Sequence, residues 1–129
     1  MKTHLTAIAC AGLLLAACAP DAWRPSPEFN GFLTHLQRAC EGEMIGPRSS
    51  VDNLIRRSQS TAGNFFMNQT SRLYFGKISE ETWATQVSSF LNGWPSDPGV
   101  KCVQREMKRY KAAKPPSSAP PGDAPPKRY

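Results

Sequence analysis

Apolar residues recur every three or four positions between residues 27 and 110, and no segment shows the sustained alternation of a half-buried strand. In the first segment, 27–39, the apolar positions are Phe29, Phe32, Leu33 and Leu36. These positions share one face of a helix, so the segment must bury that face against other helices. A chain of 129 residues has room for one such domain. The predicted fold class is therefore all-α, a small bundle of about four helices.

Residues with strong capping preferences mark the predicted helix limits. Ser26, Ser79 and Asp97 each precede a helical pattern and can accept from its first free N–H groups. Pro27 and Pro98 follow two of these caps at the first helical position. The first, third and fourth helices are thus predicted to begin at these caps.

The second segment has two interpretations. Its apolar stripe stays in register from Val51 to Leu73, which favours one long helix that ends at Gly76. Residues 58–64 are poor helix formers, however, so a kink or break near Gly63 is the alternative.

The C-terminus has a different composition. Six of the 12 prolines lie between Lys111 and Tyr129, where Ala-Pro-Pro occurs twice. Such a segment cannot pack a core. We therefore expect a helical domain over residues 28–110 and a disordered, basic, partly polyproline tail over residues 111–129.

The N-terminus has a short basic start and an apolar run from Leu5 to Ala17. The run is too short to span a bilayer, which requires about 20 residues. It is typical of a secretory signal peptide, here residues 1–17.

The end of this run, Leu15-Ala16-Ala17-Cys18, resembles the lipobox of bacterial lipoproteins. The resemblance implies cleavage before Cys18, with lipid on its sulfur and an acyl chain such as palmitate on its new amino group. The alternative is an ordinary signal peptide that happens to end in cysteine. In Gram-negative lipoproteins, Asp directly after the lipidated cysteine signals inner-membrane retention. Here that residue is Ala19, so the resemblance implies the outer membrane, facing the periplasm, with an extended tether over residues 18–27.

A lipoprotein of this kind would retain two cysteines in its exported domain. Cys10 would leave with the signal peptide and Cys18 would carry lipid, so Cys40 and Cys102 would remain in an oxidising compartment. A disulfide between them is then expected, and it would stabilise a small core. The alternatives are two free thiols or a metal pair, but two cysteines with the lone His35 do not make a zinc site. No metal or cofactor is expected.

The formal charge of +6 is concentrated at the C-terminal end. Residues 18–104 contain equal numbers of acids and bases, whereas residues 105–129 contain seven bases and two acids. The candidate contacts with an anionic surface are Arg105, Lys108, Arg109, Lys111 and Lys114. Anionic lipid, lipopolysaccharide and peptidoglycan carboxylates are the candidate partners, and nucleic acid is not expected. The alternative is a solubilising helix end that complements the helix dipole.

The sequence contains no recognisable catalytic motif, so we expect no enzyme activity. His35 is expected at the flank of the first helix rather than in a catalytic role. Glu41 and Glu43 could in principle act as an acid and a base in glycan cleavage, but a solvated loop explains them more simply.

The lipobox, the small size, the helices and the cysteine placement together resemble the pilotins of secretion systems. That resemblance implies a non-catalytic accessory factor that binds a protein partner in the cell envelope. Aromatic residues that the core does not need are the candidate partner contacts: Phe66, Tyr74, Phe75 and Trp94. The alternatives are an inhibitor or immunity protein against a cell-wall enzyme and, third, a wall-active enzyme.

Overall fold

The computed structural model describes residues 26–114, which form a small helical bundle and so confirm the predicted fold class. In chain order the elements are α1 (Pro27–Ala39), β1 (Met44–Ile45), β2 (Ser49–Ser50), α2 (Val51–Arg56), α3 (Thr61–Tyr74), α4 (Glu80–Phe90) and α5 (Pro98–Ala113). The two short strands pair antiparallel, with Met44 opposite Ser50. The predicted signal peptide, the predicted lipidation site Cys18 and most of the predicted tether and tail lie outside the described residues.

The predicted helix starts are found where the capping residues place them. The Ser26 hydroxyl accepts from the Phe29 N–H at 3.1 Å, and the Ser79 hydroxyl accepts from the Thr82 N–H at 3.1 Å. Asn92, with φ of 57°, adopts the left-handed conformation just after α4. Local side-chain hydrogen bonds therefore account for two of these helix starts.

The prediction of one long helix across residues 51–73 is wrong. Residues 57–60 separate α2 from α3, and the Ser60 hydroxyl caps α3 by accepting from the Gly63 N–H at 3.0 Å. The alternative prediction, a kink or break near Gly63, is therefore confirmed, although the break lies a few residues earlier, at 57–60. Gly63 is nevertheless essential to the turn, because a Cβ there would collide with the Arg57 carbonyl oxygen.

Aromatic side chains fill the centre of the bundle. Among the described residues, the largest fully buried side chains include Trp83, Phe29, Phe32 and Phe66. The Trp83 indole N–H donates to the buried Thr70 hydroxyl at 3.2 Å, so its polar atom is satisfied. Each such side chain contributes about 1.5–3 kcal/mol by burial, which makes this core the main source of stability.

A disulfide joins Cys40, at the C-terminal end of α1, to Cys102, near the start of α5. The two sulfur atoms are 2.02 Å apart and the two Cα atoms 5.9 Å apart. This confirms the expected pairing. The bond ties together two helices whose cysteines are 62 residues apart in the chain.

The last helix extends further than the sequence predicts. Residues 111–113, assigned to the tail, are the final turn of α5. The Lys111 ammonium donates to the Tyr74 carbonyl at 2.7 Å and lies 5.1 Å from the centre of the Tyr74 ring. Lys114 pairs with Glu28 at 2.8 Å. These contacts with α1 and α3 hold the last turn of α5 in the bundle.

Candidate functional site

The four aromatic residues predicted to contact a partner fall into two classes. Phe66 is completely buried, and Tyr74 is buried and stacks on Phe32 with ring centres 5.3 Å apart. Both therefore belong to the core, and the prediction that they contact a partner is wrong. Phe75 and Trp94, in contrast, are 47% and 72% exposed.

Trp94 projects from the loop between α4 and α5, beside the β1–β2 hairpin. A shallow cleft of about 310 Å³ lies beside Trp94 where these loops meet, with Met44, Pro47 and Pro98 among its lining residues. Met44 is itself 38% exposed. We call the surface formed by Trp94, Met44, Pro47 and Pro98 the Trp94 surface. It is a small apolar patch at one end of the bundle, and large exposed apolar groups of this kind are informative about binding.

The carboxylate of Asp97 holds the two loops of the Trp94 surface together. Its Oδ2 atom accepts from the Gly46 N–H at 2.8 Å and from the Trp94 N–H at 3.0 Å. Asp97 occupies the predicted N-cap position of α5 but makes no side-chain hydrogen bond to that helix. Its carboxylate instead fixes the backbone of both loops, because it accepts a hydrogen bond from each of them.

Two glycines bring the loops into direct backbone contact. Gly46 has φ of +67°, and a Cβ there would collide with the Leu91 carbonyl oxygen. A Cβ on Gly93 would lie 2.5 Å from the Gly46 backbone nitrogen. Because no side chain separates the two loops, the backbone on which Trp94 is carried is closely packed.

Two basic residues of the predicted anionic-surface strip, Arg105 and Arg109, are half or mostly exposed and pair with one buried carboxylate. Glu106 of α5 is buried and accepts from His35 Nε2 at 2.9 Å, from Arg105 Nε at 3.2 Å and from Arg109 at 3.3 Å. Burial opposes ionisation of Glu106, but the hydrogen bonds of His35 and Arg105 and the charge of Arg109 outweigh it and lower its pKa. Arg105 also lies 3.3 Å from the Cys102 sulfur.

This cluster connects α1 to α5 beside the disulfide. His35 lies at the edge of the cluster with its side chain partly exposed, in agreement with its predicted place at the helix flank. Three donors converge on the Glu106 carboxylate, which favours a structural role for it. The sequence pattern did not predict the pairing of His35 with Glu106. The one available signal was that Glu106 lies among the apolar positions of α5.

The lysines of the predicted strip have partners too. Lys108 pairs with Glu80 at 3.5 Å, and Lys114 pairs with Glu28. Exposed ion pairs of this type contribute little to stability, so a membrane or wall polymer could compete for these lysines. Contact of the strip with an anionic surface stays a prediction.

The two acids considered for glycan cleavage and the possible metal ligands can both be placed in the structure. Glu41 and Glu43 lie in the connection between α1 and β1. Within residues 26–114, no three His, Cys, Asp or Glu side chains are placed to hold a metal ion. Over the same range, no helix combines the length and apolar character needed to cross a membrane.

Comparison with protein-family models, curated proteins and solved structures finds no match for this chain. The geometry of residues 26–114 and the N-terminal motif are therefore the basis for inferring function.

Proposed function

We propose that the protein is a non-catalytic accessory factor of the bacterial envelope, lipid-anchored at the outer membrane, that binds a protein partner through the Trp94 surface. The observation that carries this proposal is the exposure of Trp94, whose side chain is 72% exposed. The loop that holds it is fixed by the Asp97 carboxylate and by two closely packed glycines.

The physical chemistry of Trp94 supports a binding role. The core of the bundle is filled without it, so its exposure serves no packing purpose in the isolated chain. Tryptophan is enriched among interface residues that cost about 2 kcal/mol or more when truncated. A loop already held in place loses less conformational entropy on binding. Both features favour Trp94 as the anchor of an interface.

The chemistry of the Trp94 surface also favours one kind of partner surface. Met44, Pro47 and Pro98 line the cleft next to the indole, and the Asp97 carboxylate is occupied by two backbone N–H groups. A complementary partner would offer an apolar pocket for Trp94 and an apolar side chain for the cleft. Such an interface needs no charge at its centre.

The lipid anchor in this proposal is supported by the lipobox that ends at Cys18 and by the disulfide, since disulfides persist in oxidising compartments such as the periplasm. From Cys18 to Ser26 a fully extended chain spans at most about 28 Å. An anchored domain would therefore stay close to the membrane, where it could meet an envelope partner.

The test uses the full chain, cross-linked in cells and purified from membranes in detergent. Trp94→Ala should lose a partner protein that the wild type retains. Phe75→Ala is the matched control, because Phe75, the other exposed aromatic candidate, lies at the end of α3 and does not line the cleft beside Trp94. It should retain the partner. Equal recovery with Trp94→Ala, or no partner with the wild type, would contradict the proposal. Circular dichroism of each variant checks that the fold is intact.

A second function is favoured by the shape of the same loop. Trp94 and Pro95 are both exposed, and a firmly held projecting loop can enter the cleft of an enzyme. The protein would then be an inhibitor or immunity protein against a cell-wall hydrolase. Inhibition of wall hydrolysis by the wild type, and its loss with Trp94→Ala, would distinguish this function from that of an assembly adaptor.

A further inference from the structure

A second surface lies between the beginning of α3 and the end of α4. The rings of Phe65 and Phe90 stack there with centres 3.9 Å apart and planes inclined by 11°. Phe90 is 43% exposed, and a groove of about 660 Å³ opens beside the pair. We call it the Phe65–Phe90 groove. It shares no lining residue with the Trp94 cleft, so it is a separate site on the molecule.

The groove is lined mainly by uncharged polar side chains. Gln59, Asn64 and Asn68 contribute amides, and Thr61 contributes a hydroxyl. None of the described residues that line it is acidic. The Asn68 amide N–H donates to the Asn64 amide oxygen at 2.9 Å, which orients the two side chains relative to each other. The site therefore combines an exposed ring with several amides, two of which are hydrogen-bonded to each other.

This combination favours one class of ligand. An apolar peptide segment would cover the amides without satisfying their hydrogen bonds, which is costly. A sugar ring instead presents C–H groups on its face and hydroxyl groups around its rim, so the face can pack on Phe90 while the rim bonds to the amides. An acetamido substituent adds one donor and one acceptor, the same pair that an Asn or Gln side chain offers in return.

We propose that the Phe65–Phe90 groove binds a chain of N-acetylated hexosamines. The groove volume lies within the range of about 300–1,000 Å³ that is typical of ligand sites. The groove has no general acid placed beside the rings, so the proposal is for binding without cleavage. It goes beyond the protein-binding function proposed above, because it concerns another ligand class on another face.

The test is isothermal titration calorimetry of the full chain in detergent with chitotetraose, a free chain of four N-acetylglucosamines. Maltotetraose, which lacks acetamido groups, is the comparison ligand. Chitotetraose should bind at least about tenfold more tightly than maltotetraose. Phe90→Ala should weaken binding by about two- to tenfold, since it removes the aromatic face on which a sugar ring would pack.

Asn64→Ala provides a second variant that leaves the stacked rings in place and should weaken chitotetraose binding as well. Phe75→Ala, which removes an aromatic ring of similar exposure elsewhere, should bind as the wild type does. The proposal is overturned if chitotetraose gives no binding heat, if maltotetraose binds equally well, or if binding survives both Phe90→Ala and Asn64→Ala. These outcomes are independent of partner recovery with Trp94→Ala.

Discussion

Replacing Gly63 with Ala should destabilise the protein, although helix propensity favours the substitution by up to about 1 kcal/mol. Gly63 lies in the first turn of α3. A Cβ at this position would collide with the Arg57 carbonyl oxygen and would lie 2.7 Å from the Leu54 carbonyl oxygen. Both are backbone atoms that cannot rotate away, so α2 and α3 would have to separate.

The magnitude follows from two opposing contributions. Overpacking of a well-packed site typically costs about 1–3 kcal/mol, and two backbone contacts place Gly63 at the upper end of that range. Subtracting the propensity gain leaves a net loss of about 2 kcal/mol. With a urea m-value of about 1 kcal/mol/M, the unfolding midpoint should fall by about 2 M.

The assay is urea unfolding followed by circular dichroism at 222 nm. Gly31→Ala in α1 is the matched control, because a Cβ at Gly31 would lie 2.7 Å from the Tyr110 hydroxyl, the end of a side chain that can move. Its stability should change by less than about 1 kcal/mol. If Gly63→Ala is as stable as the wild type, or more stable, the account of the α2–α3 turn is wrong.

Three further predictions concern the disulfide, a buried carboxylate and the anchor. Replacing Cys40 and Cys102 with Ala should lower the free energy of unfolding by about 4 kcal/mol for a loop of this length; a thermal melt unchanged within a few degrees would contradict this. The Gly42 N–H, 3.0 Å from Asp52, is the main cause of that carboxyl's lowered pKa. The stability gained from Asp52 is therefore present above its unfolded pKa and lost as the pH falls through its folded pKa. Asp52→Asn should cost about 1.5–3 kcal/mol at pH 6 and less at pH 3, measured by urea unfolding; equal losses at both would refute the linkage. Finally, Cys18→Ser should abolish incorporation of labelled palmitate into the protein. Persistent labelling of this variant would contradict the predicted lipid anchor.

Local chemistry explains why several elements could be predicted from the sequence. The limits of α1 are set by Ser26 and Pro27 at one end and by a polar loop at the other. The start of α4 follows in the same way from Ser79 and the acidic residues after it. These signals act within one helical turn, so they need no knowledge of the rest of the fold.

Contacts between distant parts of the chain explain what could not be predicted. An apolar stripe in register does not reveal that Ser60 caps a new helix part-way along it. The sequence pattern therefore predicts one helix where the structure has α2 and α3. Gly46 and Gly93 are recognisable as turn residues, but their contact depends on how the bundle brings two loops together. The use of Asp97 to hold those loops, rather than to cap α5, follows from the same approach.

The sequence also does not determine which individual aromatic residues are buried. Phe66 lies on the apolar stripe between Val51 and Leu73, and Tyr74 directly follows that stripe. Only the packing of α1 against α3 decides that Tyr74 is covered by Phe29 and Phe32 while the next residue, Phe75, stays half exposed.

The central claim, that the Trp94 surface binds a protein partner, is tested most directly by site-specific photo-cross-linking in living cells. Benzoylphenylalanine replaces Trp94 in one variant and Phe75 in a second, and membranes are analysed after irradiation. We predict one discrete cross-linked protein from position 94 and none of that size from position 75. No adduct from position 94, or the same adduct from both positions, would contradict the claim.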